Sequence, residues 1–277
     1  MTASASVPPR GAPRGPATIT VRHLSRPPTA ATPRHWYGGH AFETHFLNAL
    51  SSTFPEGERF FIAAVRHYAP QVSDPRLQAQ VTAFVGQEGQ HSRAHDGHMA
   101  LLREQGFGGI DRANAVLRRV CRWYLRHAPR YSLALTIAIE HVTAVFAHHL
   151  LSDPERWLVP MHPDMRPLWR WHAVEETEHK AVAFDVYRAT GGGEVMRLVS
   201  MVHVMVFVFA EFLGRHLYLL HRDGVLGDGA GWRRGTRFLW GRGGLLRLVF
   251  RDLFTYLRPG FHPWQRDDRQ LLADTRL

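Results

Sequence analysis

The sequence predicts an all-α protein built around a bundle of long helices, and three observations support this fold class. From about residue 40, apolar residues recur with helical spacing, and few segments show the Val, Ile and Thr alternation of a strand. Proline, glycine and aspartate stand at positions typical of helix starts and stops. With 277 residues, 45% of them hydrophobic, the chain is also long enough to bury a substantial core.

The first two bundle helices are predicted on either side of Pro70. The first begins at Pro55, because proline is tolerated in the first turn of a helix, and it ends at Ala69. The second is capped by Asp74 and continues to Gly106, a residue type that favours the position just after a helix.

Two more bundle helices and a fifth, more apolar helix follow. The third begins after Pro129 and ends near residues 153–154, and the fourth runs from about Pro163 to the triple glycine 191–193. The fifth covers about 194–222, and its apolar centre is short for a membrane span of about 20 residues. It is therefore interpreted as a buried bundle helix, with contact to one face of a membrane as the alternative.

The formal net charge of +10 arises near the two ends of the chain. Residues 1–42 hold five arginines and no acid, residues 215–258 hold nine arginines and three aspartates, and the rest is almost neutral. This distribution argues against a nucleic-acid groove through the core and suggests an anionic partner such as a membrane surface, although a solvated arginine-rich surface explains it equally well.

Composition divides the chain into three parts. Residues 1–35 form a basic, proline-rich tail that we expect to be disordered. Residues 36–225 form the bundle, and residues 226–277 form a basic amphipathic extension packed on the bundle or on a membrane surface. The single cysteine, Cys121, excludes an internal disulfide and favours a reducing compartment, so a cytoplasmic location is expected, with membrane association left open.

Two predicted helices carry the same Glu-x-x-His motif. Glu88 and His91 lie on the second helix, and Glu176 and His179 lie on the fourth. A spacing of three places both side chains of each motif on one face of a helix, one turn apart, so each pair is able to share a metal ion.

Two further glutamates, Glu58 and Glu140, stand in strongly apolar helical segments. A carboxylate turned into a core needs a cation or hydrogen bonds to offset its desolvation. We therefore expect a site for two metal ions, against the alternative of surface pairs and satisfied core polar groups. Its six expected ligands, called the six-residue cluster below, are Glu58, Glu88, His91, Glu140, Glu176 and His179.

The order of these residues resembles that of the ferritin-like di-metal carboxylate bundles, in which two helices each give a Glu and two give Glu-x-x-His. More narrowly, residues 40–225 resemble the bacterial family of predicted metal-dependent hydrolases. The matching segments are FPEGERFF (54–61), QEGQHSRAH (87–95), IEHVTA (139–144) and WHAVEETEHKAVAFDVY (171–187). The resemblance implies a ferritin-like four-helix bundle core with additional C-terminal helices.

The resemblance also implies roles within the six-residue cluster. Glu58 and Glu140 become terminal or bridging carboxylates, Glu88 and Glu176 become bridges, and each histidine supplies one imidazole per metal ion. Four carboxylates and two imidazoles suit iron best, manganese next and zinc less well.

Several neighbouring residues are assigned more loosely. His95 and His172 face the same site and are expected to act in catalysis, His95 as a third imidazole ligand or as a residue that orients a carboxylate. Glu175 and Glu178 turn away from the Glu176 face, so they are excluded as ligands and are expected to be solvated or paired with arginine. Glu56 is explained by the helix dipole.

The main functional hypothesis is a di-iron oxidoreductase that activates dioxygen to hydroxylate, desaturate or N-oxygenate an apolar or amine-bearing organic molecule. It implies a small organic substrate, dioxygen and an electron donor, and leaves a homodimer open. The alternative is a metal-dependent hydrolase that uses a hydroxide bridging two metal ions. Iron storage or peroxide scavenging is a third hypothesis, disfavoured because the bundle lacks additional surface carboxylates.

Overall fold

The computed structural model describes residue 15 and residues 18–275, and within this part of the chain the fold is all-α. No strand is formed there; the one β-type contact is an isolated bridge between Tyr37 and Met161. The predicted fold class is thus confirmed at the level of an all-helical protein.

The first two long helices, α1 (Ala41–Tyr68) and α2 (Pro75–Glu104), form a hairpin. The side chain of Asp74 accepts a hydrogen bond from the Arg76 backbone at 2.9 Å, and Gly106 has a φ of 92°, so both predicted boundaries of α2 are confirmed.

The predicted start of the first helix at Pro55 is wrong, because Pro55 lies inside α1. Phe46 and Leu47 are buried at 2% and 1% exposure, and packing of these apolar residues stabilises the turns before the proline. Three residues before Pro55, the carbonyl of Ser52 accepts a hydrogen bond from Arg215 at 3.0 Å, which ties this part of α1 to the helix that carries Arg215.

The middle of the chain adds one helix that the sequence analysis does not predict. This is α3 (Ile110–His127), which lies between the second and third predicted helices. It is followed by α4 (Pro129–Ser152) and a single-turn helix, α5 (Pro154–Trp157).

The fourth predicted helix is divided into α6 (Arg166–His179) and α7 (Val182–Ala189). At the break, Lys180 donates to the Arg266 carbonyl at 2.7 Å and to Asp268 at 2.5 Å. The predicted fifth helix is α8 (Glu194–His203) and α9 (Phe209–Arg222), joined by one π-helical turn at Val204–Val208.

The C-terminal extension contains short helices that pack back on the bundle. α10 (Gly229–Trp240) contacts α1, and α11 (Leu245–Leu253) contacts α4. Two 3₁₀ turns at Phe254–Leu257 and Pro263–Gln265 and a last helix, α12 (Arg269–Asp274), follow.

Four helices form a closed ring: α1 contacts α2, α2 contacts α6, α6 contacts α4, and α4 contacts α1. Apolar clusters fill the bundle. One includes Phe84 and Leu133, and another includes Trp36 and Trp169. The ring therefore brings the inward faces of the four motif-bearing helices together.

The N-terminal segment differs from the expectation of disorder where it is described. Within residues 18–35, the side chain of Ile19 is buried and Arg22 forms hydrogen bonds to α6. These contacts offset the entropy of ordering a polar segment. Residues 1–14, 16 and 17 lie outside the described residues, and for them the expectation stays a prediction.

Two helical stretches are long and apolar enough, by length and composition, to cross a membrane. In the most apolar 18-residue window of Pro129–Ser152, 72% of the residues are buried, which is typical of the core helix of a bundle. The corresponding window of Glu194–Arg222 has a mean hydropathy of 1.8, but only 22% of its residues are buried. The expectation of a buried helix therefore does not fit the outer face of this helix.

Candidate metal centre

The structure brings the six-residue cluster together inside the helical ring. Glu58 comes from α1 and Glu140 from α4, whereas α2 and α6 each supply a Glu-x-x-His pair. Each of the six is at most 3% exposed. All six side chains thus converge on one place in the fold.

His179 lies at one end of the cluster. Its Nε2 atom is 3.1 Å from Glu88 Oε1, 3.5 Å from Glu140 Oε2 and 3.6 Å from Glu176 Oε2. One imidazole nitrogen thus faces three carboxyl groups from three helices.

His91 lies at the other end. Its Nδ1 atom is 3.7 Å from Glu88 Oε1 and 3.8 Å from Glu176 Oε1, and Glu58, Glu88 and His91 offer atoms within 4.8 Å of one another. Glu88 and Glu176 therefore approach both imidazoles, whereas Glu58 belongs to the His91 end.

The donor atoms in the cluster fit metal ions because so many of them lack a hydrogen-bond partner. Both carboxyl oxygens of Glu58, Glu88 and Glu140 are buried without one, and so are Nδ1 of His91 and Nε2 of His179. Buried polar atoms are costly when unpaired, and two divalent cations would satisfy all of them. The buried His and Glu clusters thus indicate a metal site.

In the absence of a bound cation, the four carboxyl groups of the cluster fall into two kinds according to the direction of their pKa shift. Burial raises the pKa of Glu58 and of Glu140 well above the usual carboxyl value, which favours the protonated form of each. Burial has the same tendency at Glu88 and Glu176, but the close imidazole of His179 outweighs it and lowers the pKa of each carboxyl group.

The two imidazoles carry the compensating positive charge. Burial alone would lower the pKa of His91, but its hydrogen bond to Glu175 and the nearby carboxylate of Glu88 raise that pKa to about 10. For His179, burial is likewise outweighed by the charge of Glu176, and its pKa is raised well above the usual value. Protons therefore balance the metal-free cluster, and cations must displace them.

The second nitrogen of each imidazole is held by a side chain next to a motif glutamate. Nε2 of His91 donates to Glu175 Oε2 at 3.1 Å, and Nδ1 of His179 donates to Gln87 Oε1 at 2.9 Å. Such partners hold one ring proton in place, so each histidine presents a lone pair to the cluster once a metal ion displaces the other proton.

One arginine links both of these partners; its contacts are called the Arg22 network. The Arg22 backbone donates to Glu175 at 3.0 Å, and its guanidinium donates to Glu178 at 2.7 and 2.9 Å. Glu178 also accepts from Gln87 Nε2 at 2.9 Å. The expected pairing with arginine is found, but Glu175 is completely buried rather than solvated.

His95 and His172 belong to a buried chain of hydrogen bonds that ends on Glu176. His172 Nε2 is 2.9 Å from Glu176 Oε1, His95 Nε2 is 2.7 Å from His172 Nδ1, and Ser51 Oγ is 2.7 Å from Nδ1 of both His95 and His98. Burial lowers the pKa of all three histidines, which favours their neutral form. In this form His172 donates to Glu176, and His95 donates to His172. Both His95 nitrogens are engaged, which favours orientation over direct ligation.

Two other polar side chains near the cluster have different roles. Thr143 Oγ1 donates to Glu176 Oε2 at 2.6 Å, so both oxygens of that carboxylate are oriented. Glu56 pairs with Arg59 at 3.0 Å and Arg118 at 2.8 Å and takes no part in the cluster. The choice of Glu58 over Glu56 agrees with this arrangement.

Aromatic rings enclose the cluster. Phe84 packs edge-on against His179 with ring centres 5.0 Å apart, and Trp171 packs in the same way against His91 at 4.8 Å. Two grooves in the described part of the chain, of about 740 and 280 Å³, are lined by other residues. Because the six residues are themselves buried, the centre is shielded from bulk water.

Four residues that hold this site are not predicted from the sequence: Arg22, Ser51, Gln87 and Thr143. Only two of them have a sequence signal. Gln87 directly precedes a motif glutamate, and Thr143 follows Glu140 by three residues on the same helical face.

Comparison with known proteins identifies a family for the chain. A family model described as predicted metal-dependent hydrolase matches residues 20–267. No curated protein and no solved structure matches the chain. The match covers most of the sequence and includes the whole six-residue cluster. The chain therefore belongs to the family of predicted metal-dependent hydrolases.

Proposed function

We propose that the chain is a metal-dependent hydrolase with a dinuclear centre at the six-residue cluster. The observation that carries this proposal is the approach of Glu88 and Glu176 to both imidazoles, each of which has one unpaired nitrogen directed at the carboxyl groups. Family membership supports hydrolysis as the reaction.

The residues of the chain have separable tasks in this proposal. When bound, the two metal ions supply Lewis acidity and lower the pKa of water. Gln87 and Glu175 orient the two imidazoles, and Thr143 and His172 orient Glu176. His172 also holds a proton at Nε2, next to a carboxylate of the site.

Placement in the ferritin-like superfamily is part of the proposal. It is supported by the order of the motifs and by the closed ring of α1, α2, α4 and α6, each of which contributes to the cluster. Two iron ions suit the oxygen-rich donor set best, manganese is the next choice, and zinc prefers nitrogen and sulfur donors.

Dioxygen activation for oxidation of an organic molecule is the second candidate function. The enclosure of the cluster favours it, since neither described groove reaches the six residues and a diatomic molecule needs less space than an ester or a phosphoester. It requires an electron donor in addition to the small organic substrate. For either reaction we propose a cytoplasmic protein, and a homodimer remains part of the hypothesis.

Metal reconstitution distinguishes the two reactions. The metal-free chain is loaded with Fe²⁺, Mn²⁺ or Zn²⁺, and bound metal, oxygen uptake with a reductant, and hydrolysis of an ester, amide and phosphoester panel are measured. Hydrolysis with about two ions per chain supports the proposal, and oxygen uptake with iron alone supports the second candidate.

Matched variants test the centre itself. Glu58→Gln removes a carboxylate from the cluster, whereas Glu56→Gln changes a buried glutamate two residues away that pairs with Arg59 and Arg118. Loss of bound metal in Glu58→Gln, with full metal content in Glu56→Gln, is the expected result. Equal metal content in both variants overturns the dinuclear centre.

A further inference from the structure

The outer face of the long helix at Glu194–Arg222 is a continuous apolar stripe. Val195, Val199, Val202, Val206 and Leu213 are 77%, 51%, 60%, 55% and 51% exposed. The spacing of four and three residues keeps Val195, Val199 and Val202 on one side of α8, over about 11 Å at 1.5 Å per residue. Val206 and Leu213 continue the exposed apolar surface within and beyond the π-helical turn at Val204–Val208. A surface of this kind needs a partner.

Helix α3 lies antiparallel beside this helix and extends the stripe. Asn114 accepts a hydrogen bond from Arg215 at 2.6 Å, and farther along α3 the ring of Tyr124 lies 5.8 Å from that of His203. The outer side of α3 exposes three more apolar residues. These are Val116 at 58%, Val120 at 45% and Trp123 at 56%.

A row of arginines borders the apolar part of α3. Arg112, Arg119 and Arg126 recur every seventh residue, so they share one side of the helix, next to Val116 and Trp123. All three are exposed, and none forms an ion pair with another described residue. Because the arginine row lies beside exposed apolar side chains, the surface has the composition of a helix that binds at the lipid headgroup boundary.

We propose that this surface, named the α3/α8–α9 face, docks on an anionic lipid bilayer with its helices parallel to the membrane plane. The apolar stripe enters the headgroup boundary, and the arginine row contacts lipid phosphates. A second copy of the chain is a poorer partner, since an isologous contact brings two arginine rows together without acidic residues to pair them.

The same helix is unsuited to crossing the bilayer, because its inner face is bound to the protein through charged groups. Arg197 is fully buried and donates to the carbonyl of Tyr256, and Arg215 is 3% exposed and donates to Ser52 and Asn114. Removal of these arginines from their partners into hydrocarbon is costly. The surface therefore binds one leaflet, and this inference is independent of the reaction at the metal centre.

Vesicle co-sedimentation of the full chain tests the proposal. Vesicles of phosphatidylcholine alone are compared with vesicles that also contain phosphatidylglycerol, at low and high salt. We expect binding to the anionic vesicles that weakens with salt. Replacing Arg112, Arg119 and Arg126 with Gln lowers the binding constant by about 100-fold, at about five-fold per arginine.

Matched controls keep the test specific. Arg233, Arg237 and Arg242 are exposed arginines of the C-terminal extension, and their replacement by Gln should leave binding almost unchanged. Val206→Ser should weaken binding, whereas Val159→Ser, at a site 45% exposed elsewhere on the surface, should not. Circular dichroism confirms that each variant is folded.

Three results overturn the proposal. Equal binding to neutral and anionic vesicles removes the role of the arginine row. An equal loss in both arginine triple variants shows attraction by net charge alone. A concentration-dependent dimer without lipid that Val206→Ser dissociates assigns the face to a second copy of the chain.

Discussion

Replacing Arg22 with alanine should weaken metal binding mainly at the His179 end of the cluster. The variant removes both hydrogen bonds to Glu178, at 2.7 and 2.9 Å, and so loosens Gln87, which holds Nδ1 of His179. The contact to Glu175 survives in part, because the Arg22 backbone donates it at 3.0 Å. The His91 end therefore keeps its orienting partner.

The size of the effect follows from the exposure of the Arg22 network. Loss of a residue that orients a ligand costs 10- to 100-fold in metal affinity, and the Arg22 side chain is 31% exposed, so water screens its ion pairs. We expect the lower end of that range. A loss of about 10-fold corresponds to about 1.4 kcal/mol.

The assay is competition for Mn²⁺ or Fe²⁺ with a chelator of known affinity, read separately for the first and second ion. Arg26→Ala is the matched control, an exposed arginine in the same segment for which the described residues provide no hydrogen-bond partner. Glu175→Ala should affect the opposite, His91 end. Wild-type affinity for both ions in Arg22→Ala refutes the reasoning.

Three other outcomes are expected. Glu140→Ala, which removes a carboxyl group with no hydrogen-bond partner, should reduce metal content from two ions to one per chain; metal analysis that still finds two contradicts this. The metal-free protein should lose thermal stability as the pH rises from 6.5 to about 10, because the fold raises the pKa of His91 to about 10. The stability that this proton contributes is complete below pH 6.5 and is lost as the pH passes the raised pKa. A Tm that stays constant or rises over this range contradicts the prediction. Phe84→Ala, at a fully buried ring against His179, should cost about 3–5 kcal/mol of unfolding free energy in urea titration, and a cost under about 1 kcal/mol means that the ring is not tightly packed.

The six-residue cluster is predictable from sequence because its information is local. The Glu-x-x-His spacing places two side chains on one helical face. A glutamate surrounded by apolar residues in the sequence is predicted to be buried even when its binding partner is unknown. The choice of Glu58 over Glu56 rests on that reasoning, and Glu56 indeed faces Arg59 and Arg118.

The residues around the cluster are harder to predict, because they act across long separations in the chain. Arg22 and Glu175 are 153 residues apart, and no spacing rule connects them. The helical position of Glu175 correctly predicts that it points away from the face of Glu176. Its side chain does not reach solvent, however, but contacts His91 on α2. Distinguishing the two outcomes requires the packing of α2 against α6.

The fold shows the same limit. Helix α3 has a well-defined apolar face, but Val116, Val120 and Trp123 on that face are exposed, so the apolar pattern there does not mark core packing. At Pro55, tertiary packing of Phe46 and Leu47 overrides the local preference of proline for a helix start. Both errors arise where partners distant in sequence decide the outcome.

Lys180 is the only lysine in the sequence, and its ammonium group is 3% exposed between Asp268 and the ring of Trp264. An amine-reactive reagent therefore finds no lysine to modify while the segment around residues 264–268 stays docked. Detachment of that segment frees the ε-amine at once. The protein thus contains a natural chemical reporter, and the labelling rate of one side chain measures how often its C-terminal extension opens.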